Sequence, residues 1–238
     1  MSLRVFIDPP AEAFPVGARV ELDKEESHYL LRVRRAGVGQ KAELLDGVAE
    51  RYRVQLVECD KAAVVEVLER LVPPAPSPQR TLLLAQIDKG PALEAVTDAT
   101  VMGVHDIAWV ECARSQGRAP SPARVERAIR AAQRQCGRPD RPRLHHFGSL
   151  HEALAAGFPG GLVWASLADE APPTHAHLNA ALRLAIGPEG GFDPAEVQLL
   201  RDHGALPVRI GPWVLRTERA VLATLAAVLP GAGRPPSP

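Results

Sequence analysis

The sequence predicts an α/β domain with a mainly parallel sheet, preceded by a small β module. Three observations predict it. Short, partly alternating, β-branched runs crowd the chain before residue 72. A stretch with four prolines, "VPPAPSPQ" (72–79), then breaks all periodicity. Beyond it, compact apolar runs alternate with helical stretches, the pattern of strands joined by crossover helices.

The elements follow in chain order. "LRVFI", "KAELLDG", "RYRVQLVE" and "AAVVEVLE" read as strands of a small barrel, with one helical stretch around "KEESHYLLRVRRA". These define a first domain over residues 1–72, and 73–79 is its linker. The second domain covers 80–238, with a disordered tail expected from about 231, where "GAGRPPSP" follows. "TLLLAQI" (81–87) is a strand leading into a helix from about Pro91 to Met102. "DIAWV" (106–110) is a strand before an arginine-rich helix, and "GLVWAS" (161–166) and "LRLAI" are further buried strands. "DPAEVQLLRDHG" opens with Asp193, Pro194 and Glu196, an N-cap acid, a first-turn proline and a third-position glutamate. "TERAVLATLAAVLP" is the last helix.

Composition narrows the function. With 238 residues and 46% apolar content the chain can bury a substantial core. No run approaches the roughly 18 apolar residues of a membrane span. "MSLRVFIDPP" has charges where a signal peptide has its apolar stretch, so a cytoplasmic protein is expected. The cysteines (Cys59, Cys112, Cys136) are too scattered for a metal knuckle, and the His pairs at 145–146 and in "THAH" lack matching ligands, so no metal is expected. Neither GxGxxG after a strand, GxxxxGK[ST], HExxH nor GxSxG occurs, which removes the usual dinucleotide, P-loop, zincin and serine-hydrolase readings.

Charge is balanced, 28 basic against 28 acidic residues, but unevenly placed. Between Arg114 and Arg143 nine arginines face only Glu126 and Asp140. Arg124, Arg127, Arg130, Arg134 and Arg138 fall on one side of a helix, opposite Val125, Ala128, Ile129, Ala132 and Cys136. A stripe of arginines with almost no interleaved acid suits phosphate contacts. Arg32, Arg34 and Arg35 make a second basic cluster in the β module. A nucleic-acid partner is the expectation. Near the C-terminus, "LAIGPEGGF" (184–192) and "RIGPWVLRTERA" (209–220) each end an apolar run in Gly-Pro and lead to a helix start. Such loops, at the carboxyl ends of parallel strands, are where α/β sheets hold ligands.

These residues also carry a resemblance. "IGPEGGF" with "RIGPWVLRTERAVLATLAAV" resembles the C-terminal signature of the RsmE-type methyltransferases of the SPOUT superfamily. "HYLLRVRRAGVGQKAELLDG" (28–47), "KGPALEAVTDATVMGV" (89–104) and "AAQRQCGRPDRP" (131–142) resemble other stretches of that family, with departures at Met102, Arg134 and Arg219. The resemblance implies a PUA-like β-barrel, an α/β domain with a C-terminal trefoil knot, and a cytoplasmic homodimer that uses S-adenosylmethionine to methylate N3 of a uridine in 16S rRNA of the small ribosomal subunit. It implies a cofactor site at Ile186, Gly187, Pro188, Glu189, Gly190, Gly191, Ile210, Gly211, Leu215 and Thr217. Arg216 and Glu218 are the residue types the chemistry needs, a cation for a developing uridine anion and a carboxylate for its proton. Two alternatives stay open: a SPOUT methyltransferase for another RNA site, and a non-catalytic RNA-binding ribosome-assembly factor.

Overall fold

The structure is a computed structural model that describes residues 3–8, 12–72, 77–166 and 180–229. The "THAH" pair and the C-terminal tail lie outside the described residues. Two compact units divide the chain: residues 1–75 with 133–141, and residues 76–132 with 142–238. Segment 133–141, which the sequence division placed with the second domain, packs in the first unit.

The first unit holds β1 (Arg4–Phe6), β2 (Arg19–Glu21), β3 (Lys41–Leu45), β4 (Arg51–Glu58) and β5 (Val64–Leu71). They form one sheet in the order β1-β3-β4-β5-β2, with β1 parallel to β3 and the other pairs antiparallel. Alternation sets its core face: Tyr52, Val54 and Leu56 of β4 and Val65 and Val67 of β5 are buried. The helical stretch begins as α1 (Lys24–His28), capped by Asp23, and continues as a π-helical turn over Tyr29–Val33. Arg35 follows with φ +53, unusual for a side-chain-bearing residue.

The second unit contains β6 (Arg80–Ala85), α2 (Lys89–Val101), β7 (Asp106–Val110), most of α3 (Pro122–Cys136), β8 (Arg143–Phe147), α4 (Leu150–Ala155), β9 (Gly161–Ala165), β10 (Leu182–Ile186), α5 (Pro194–Asp202), β11 (Leu206–Val208) and α6 (Thr217–Val228). The sheet is entirely parallel, in the order β11-β9-β10-β6-β7-β8. Its central strands are covered on both faces, so Leu82, Leu83, Leu84 and Ala85 of β6 are all buried. One face packs on α2 and α6, through Ala92, Val96, Val221 and Leu225, and the other carries Leu150, Leu154 and Leu200 of α4 and α5. Helix α2 starts two residues before the predicted Pro91, because a first-turn proline has no N–H that the helix needs. The chain walks outward from β6 to β8, then places β9, β10 and β11 on the other side of β6. The order reverses between β6 and β10, and a crevice opens at such a switch.

The predicted arginine stripe is only partly a surface. Arg124 and Arg127 are exposed and Arg130 is half-buried. Arg134 is turned inward within the first unit, where Nη2 pairs with the carboxylate of fully buried Glu26 and the guanidinium lies 3.9 Å over the Tyr29 ring. Arg138 lies beyond the helix, because Gly137 adopts φ +81 and ends it, and its Nε donates to Asp140 at 3.1 Å. Space at Gly137 is needed too, since a Cβ there would stand 2.9 Å from the Arg4 guanidinium. Arg4 uses that position to donate from Nη1 to the last carbonyls of α3, Arg134 O at 2.8 Å and Gln135 O at 2.9 Å. Arg134 and Arg138 are therefore withdrawn from the RNA-facing set. Cys136, expected on the packed side, is exposed.

Candidate functional site

A cavity of about 380 Å³ opens in the second unit where β9, β10 and β11 end. All ten residues that the sequence nominated for a cofactor, from Ile186 through Gly191 and then Ile210, Gly211, Leu215 and Thr217, line it. The local reasons are visible. β10 ends at Ile186, and Gly191 turns the loop back with its N–H donating to Pro188 O at 2.8 Å and its φ at +69, a value a side chain would strain. The second loop runs from β11 to the start of α6, and Thr217 Oγ1 donates to Gly187 O at 3.3 Å, joining the two loops.

The loop after Gly191 delivers the chain into α5 through the predicted capping box. Asp193 accepts from Glu196 N at 2.7 Å, and Glu196 accepts in return from Asp193 N at 2.9 Å. The other Glu196 oxygen accepts from Ala113 N at 2.8 Å, so this carboxylate also anchors the loop after β7. That loop supplies Arg114, whose Nη1 donates to Gly190 O at 2.9 Å. A Cβ on Gly190 would meet the Arg114 stem at 3.4 Å. A Cβ alone would fit there at ordinary contact distance, so only a larger side chain at Gly190 would press on Arg114. Beside the same loop, burial first and the negative charge of Glu196 second push the Cys112 thiol up to about 12.

The nominated catalytic pair separates. Arg216 is exposed at the N-cap of α6 and makes no side-chain cap, so it is not spent on holding the helix. Glu218 is only 5% exposed, in the first turn of α6, and is not part of the cavity wall. Glu189, exposed, is the carboxylate in that wall.

Sequence reasoning missed Arg114, Trp164, Ser166, Phe192, Arg201 and Trp213 among the lining residues. Their signal was positional: Trp164 to Ser166 end β9, Arg114 follows β7, and both lie at carboxyl ends of parallel strands. The basic cluster Arg32, Arg34 and Arg35 is exposed, directly around the π-helical turn. His145 of the "LHH" run is drawn into an ion network on buried Asp106. There Arg143 Nε, Arg143 Nη2 and His145 Nε2 all lie at 2.8 Å, with Gln79 Nε2 at 2.6 Å. Burial alone would raise the Asp106 carboxyl, but these donors outweigh it and hold it below the usual carboxylate range. Among the described residues no group of His, Cys, Asp and Glu is placed to hold a metal, and no helix is long and apolar enough to cross a membrane.

Comparison with known proteins agrees with this geometry. Residues 75–229 match the RNA methyltransferase domain family and residues 22–68 match the RNA methyltransferase PUA domain. A "Ribosomal RNA small subunit methyltransferase E" of Mycobacterium bovis is 30% identical over 228 residues, covering 89% of this chain and 86% of its own. The Bacillus subtilis protein of the same name is 25% identical and covers 94% of this chain and 95% of its own. Among solved structures, a ribosomal RNA small subunit methyltransferase E from Neisseria gonorrhoeae bound to S-adenosyl methionine superposes with a TM-score of 0.84. It has 26% identity and covers 95% of this chain and 96% of that one. The fold is thus the SPOUT-like α/β methyltransferase fold with an N-terminal PUA-like β domain, and the chain belongs to the RNA methyltransferase family.

Proposed function

We propose that the chain is an S-adenosylmethionine-dependent methyltransferase of small-subunit (16S) ribosomal RNA, and that its methyl acceptor is N3 of a uridine. The observation that carries the reading is the convergence of two distant Gly-Pro loops on one cavity at the strand ends. The cavity fits the cofactor. Its volume of about 380 Å³ lies in the range of small-molecule sites, its wall is mostly apolar, and the indole N–H of the lining residue Trp164 is buried with no acceptor among the described residues. Ile186 to Gly191, Ile210, Gly211, Leu215 and Thr217 would hold it, with Arg114 and Glu189 at the exposed end.

When bound, S-adenosylmethionine supplies an electrophilic methyl group. The chain's own residues have to prepare the acceptor. Uridine N3 bears a weakly acidic proton between two carbonyls, and it becomes a nucleophile as that proton leaves. Arg216, exposed between the lining residues Leu215 and Thr217, would stabilise negative charge on a uridine carbonyl oxygen. For the proton, Glu189 replaces Glu218 in our reading, because a buried carboxylate outside the cavity wall has no route to the base. Arg32, Arg34 and Arg35, with Arg124, Arg127 and Arg130, would contact rRNA phosphates. The C-terminal trefoil knot, the homodimer and a cytoplasmic location belong to the same proposal by family resemblance.

The test has two parts. Calorimetry with S-adenosylhomocysteine should show saturable binding, and its absence would favour a non-catalytic RNA-binding factor. Modified-nucleotide mapping of rRNA from cells with and without the gene should show one N3-methyluridine missing from the small subunit. A missing methyl group at another atom or in another RNA would move the assignment to a different SPOUT substrate.

A further inference from the structure

We propose that the indole N–H of Trp164 is a recognition group of the cavity, donating a hydrogen bond to an acceptor on the adenosine part of the bound ligand. The proposal rests on the cofactor reading of that cavity. Trp164 is the next-to-last residue of β9, in register with Ala185 of β10 on one side and Pro207 of β11 on the other. It is 5% exposed and yet belongs to the cavity wall. Its ring packs edge-on against Phe192, with centroids 6.3 Å apart, and Phe192 lines the same cavity. Both neighbours restrict rotation of the indole.

Its Nε1 is buried and has no hydrogen-bond partner among the described residues. Buried indole N–H groups normally find an acceptor, and leaving one without carries a desolvation cost. Other buried polar atoms share this state: Thr81 Oγ1, Asp98 Oδ2, Thr224 Oγ1, Arg51 Nε and Arg134 Nε. They differ in kind. Hydroxyls rotate, and both guanidinium groups already bind carboxylates through other nitrogens. An indole has one donor and no acceptor. Of these six residues Trp164 alone lines the cavity.

The division of the wall indicates which part of the ligand it meets. Trp164, Val208 and Ile186 are buried at the strand ends and form an apolar floor, whereas Arg114 and Glu189 are exposed at the rim. A flat adenosine suits the floor, and a zwitterionic amino-acid end suits the rim. An N–H in such an apolar floor discriminates strongly, because a ligand lacking the matching acceptor leaves it unpaired.

The experiment compares wild type with Trp164→Phe, which keeps an aromatic ring and removes the donor. Binding of S-adenosylhomocysteine and of adenosine is measured by calorimetry, and ligand-free thermal unfolding is measured alongside. The expected result is a loss of about tenfold in affinity for both ligands, with a ligand-free midpoint equal to or above wild type. Indole ¹⁵N labelling of wild type gives a second readout that does not depend on the variant's folding. Three indole N–H signals are expected from Trp109, Trp164 and Trp213, and adenosine should move the signal of the buried, cavity-lining indole downfield. Unchanged affinity in Trp164→Phe, or weaker binding matched by an equal loss of ligand-free stability, overturns the proposal while leaving the cofactor reading intact. Failure of wild type to bind S-adenosylhomocysteine overturns both.

Discussion

Replacing Arg134 by methionine should cripple the first unit and leave the phosphate-binding surface untouched. The guanidinium neutralises Glu26, which is fully buried and also accepts from Phe6 N at 3.2 Å. Removing one partner of a buried pair typically costs 3–5 kcal/mol, about the range expected here. The cation over the Tyr29 ring adds about 1 kcal/mol. A total near 5 kcal/mol is a large part of the stability of a small domain, about 5–15 kcal/mol. In urea this corresponds to a midpoint lower by about 2–3 M. The chain separates the signals by itself. Both tyrosines, Tyr29 and Tyr52, lie in the first unit, and Trp109, Trp164 and Trp213 lie in the second. Tyrosine and far-ultraviolet signals should therefore report an early transition that tryptophan emission does not share. Changing Glu26 to methionine as well should restore most of the loss, since no charge is then stranded. An Arg134→Met protein as stable as wild type, but with weakened RNA binding and a shallower salt slope, would refute the reasoning and return Arg134 to the RNA face.

Charge reversal at Arg124 and Arg127 should do the opposite, leaving unfolding unchanged and reducing the salt slope of RNA binding by about one per lost phosphate contact; filter binding across salt concentrations measures this. Gly190→Val should push the Arg114 stem off the loop and weaken S-adenosylhomocysteine binding by about tenfold, read by calorimetry, while Gly190→Ala, at ordinary contact distance, should be mild. Arg216→Ala should lower the single-turnover methylation rate by about 10²–10³ with cofactor affinity retained; equal losses in both would make it a cofactor ligand. Asp106→Asn should destabilise the second unit by about 2 kcal/mol at pH 7. Because the folded Asp106 carboxyl is depressed, that contribution is present above its unfolded value, about 3.9, and is lost as pH falls through the lower folded value. The gap between wild type and variant should narrow in urea titrations as pH is taken below that unfolded value, and a gap that stays constant as the pH is lowered would contradict the assignment.

The parallel strands and the two ligand loops were legible because their signals are local. "DIAWV" is buried from Asp106 to Val110, and Asp193-Pro194-Ala195-Glu196 caps α5 as its spacing predicts. β11 and β8 were not. β11 is three residues of an edge strand with a proline at its centre, and β8, "RLHHF", carries charge and histidines because it is also an edge with only one neighbour. The arginine stripe misled for a different reason. Helical periodicity assigns a direction to a side chain, but it holds no information about a buried glutamate 108 residues away. Nor could it show that Gly137 stops the helix one residue before Arg138. The two Gly-Pro loops that the sequence singled out line the cavity, whereas Trp164 and Arg114 follow other strands and join its wall only through the sheet order.

Glu196 gives the rim of the cavity a timekeeper. One carboxylate ties the start of α5 to the loop after β7, and the Cys112 thiol lies under the same tie. With its pKa pushed up to about 12, that thiol is almost wholly protonated at neutral pH and slow toward alkylating reagents. A parting of the two loops would relieve both the burial and the Glu196 charge, and would quicken the reaction at the sulfur. With the exposed Cys59 and Cys136 changed to serine, the rate of Cys112 alkylation should rise with those openings. A ligand seated between the loops would lengthen the interval between them, so occupancy of the site can be followed as a slowing of chemistry at an atom the ligand never touches.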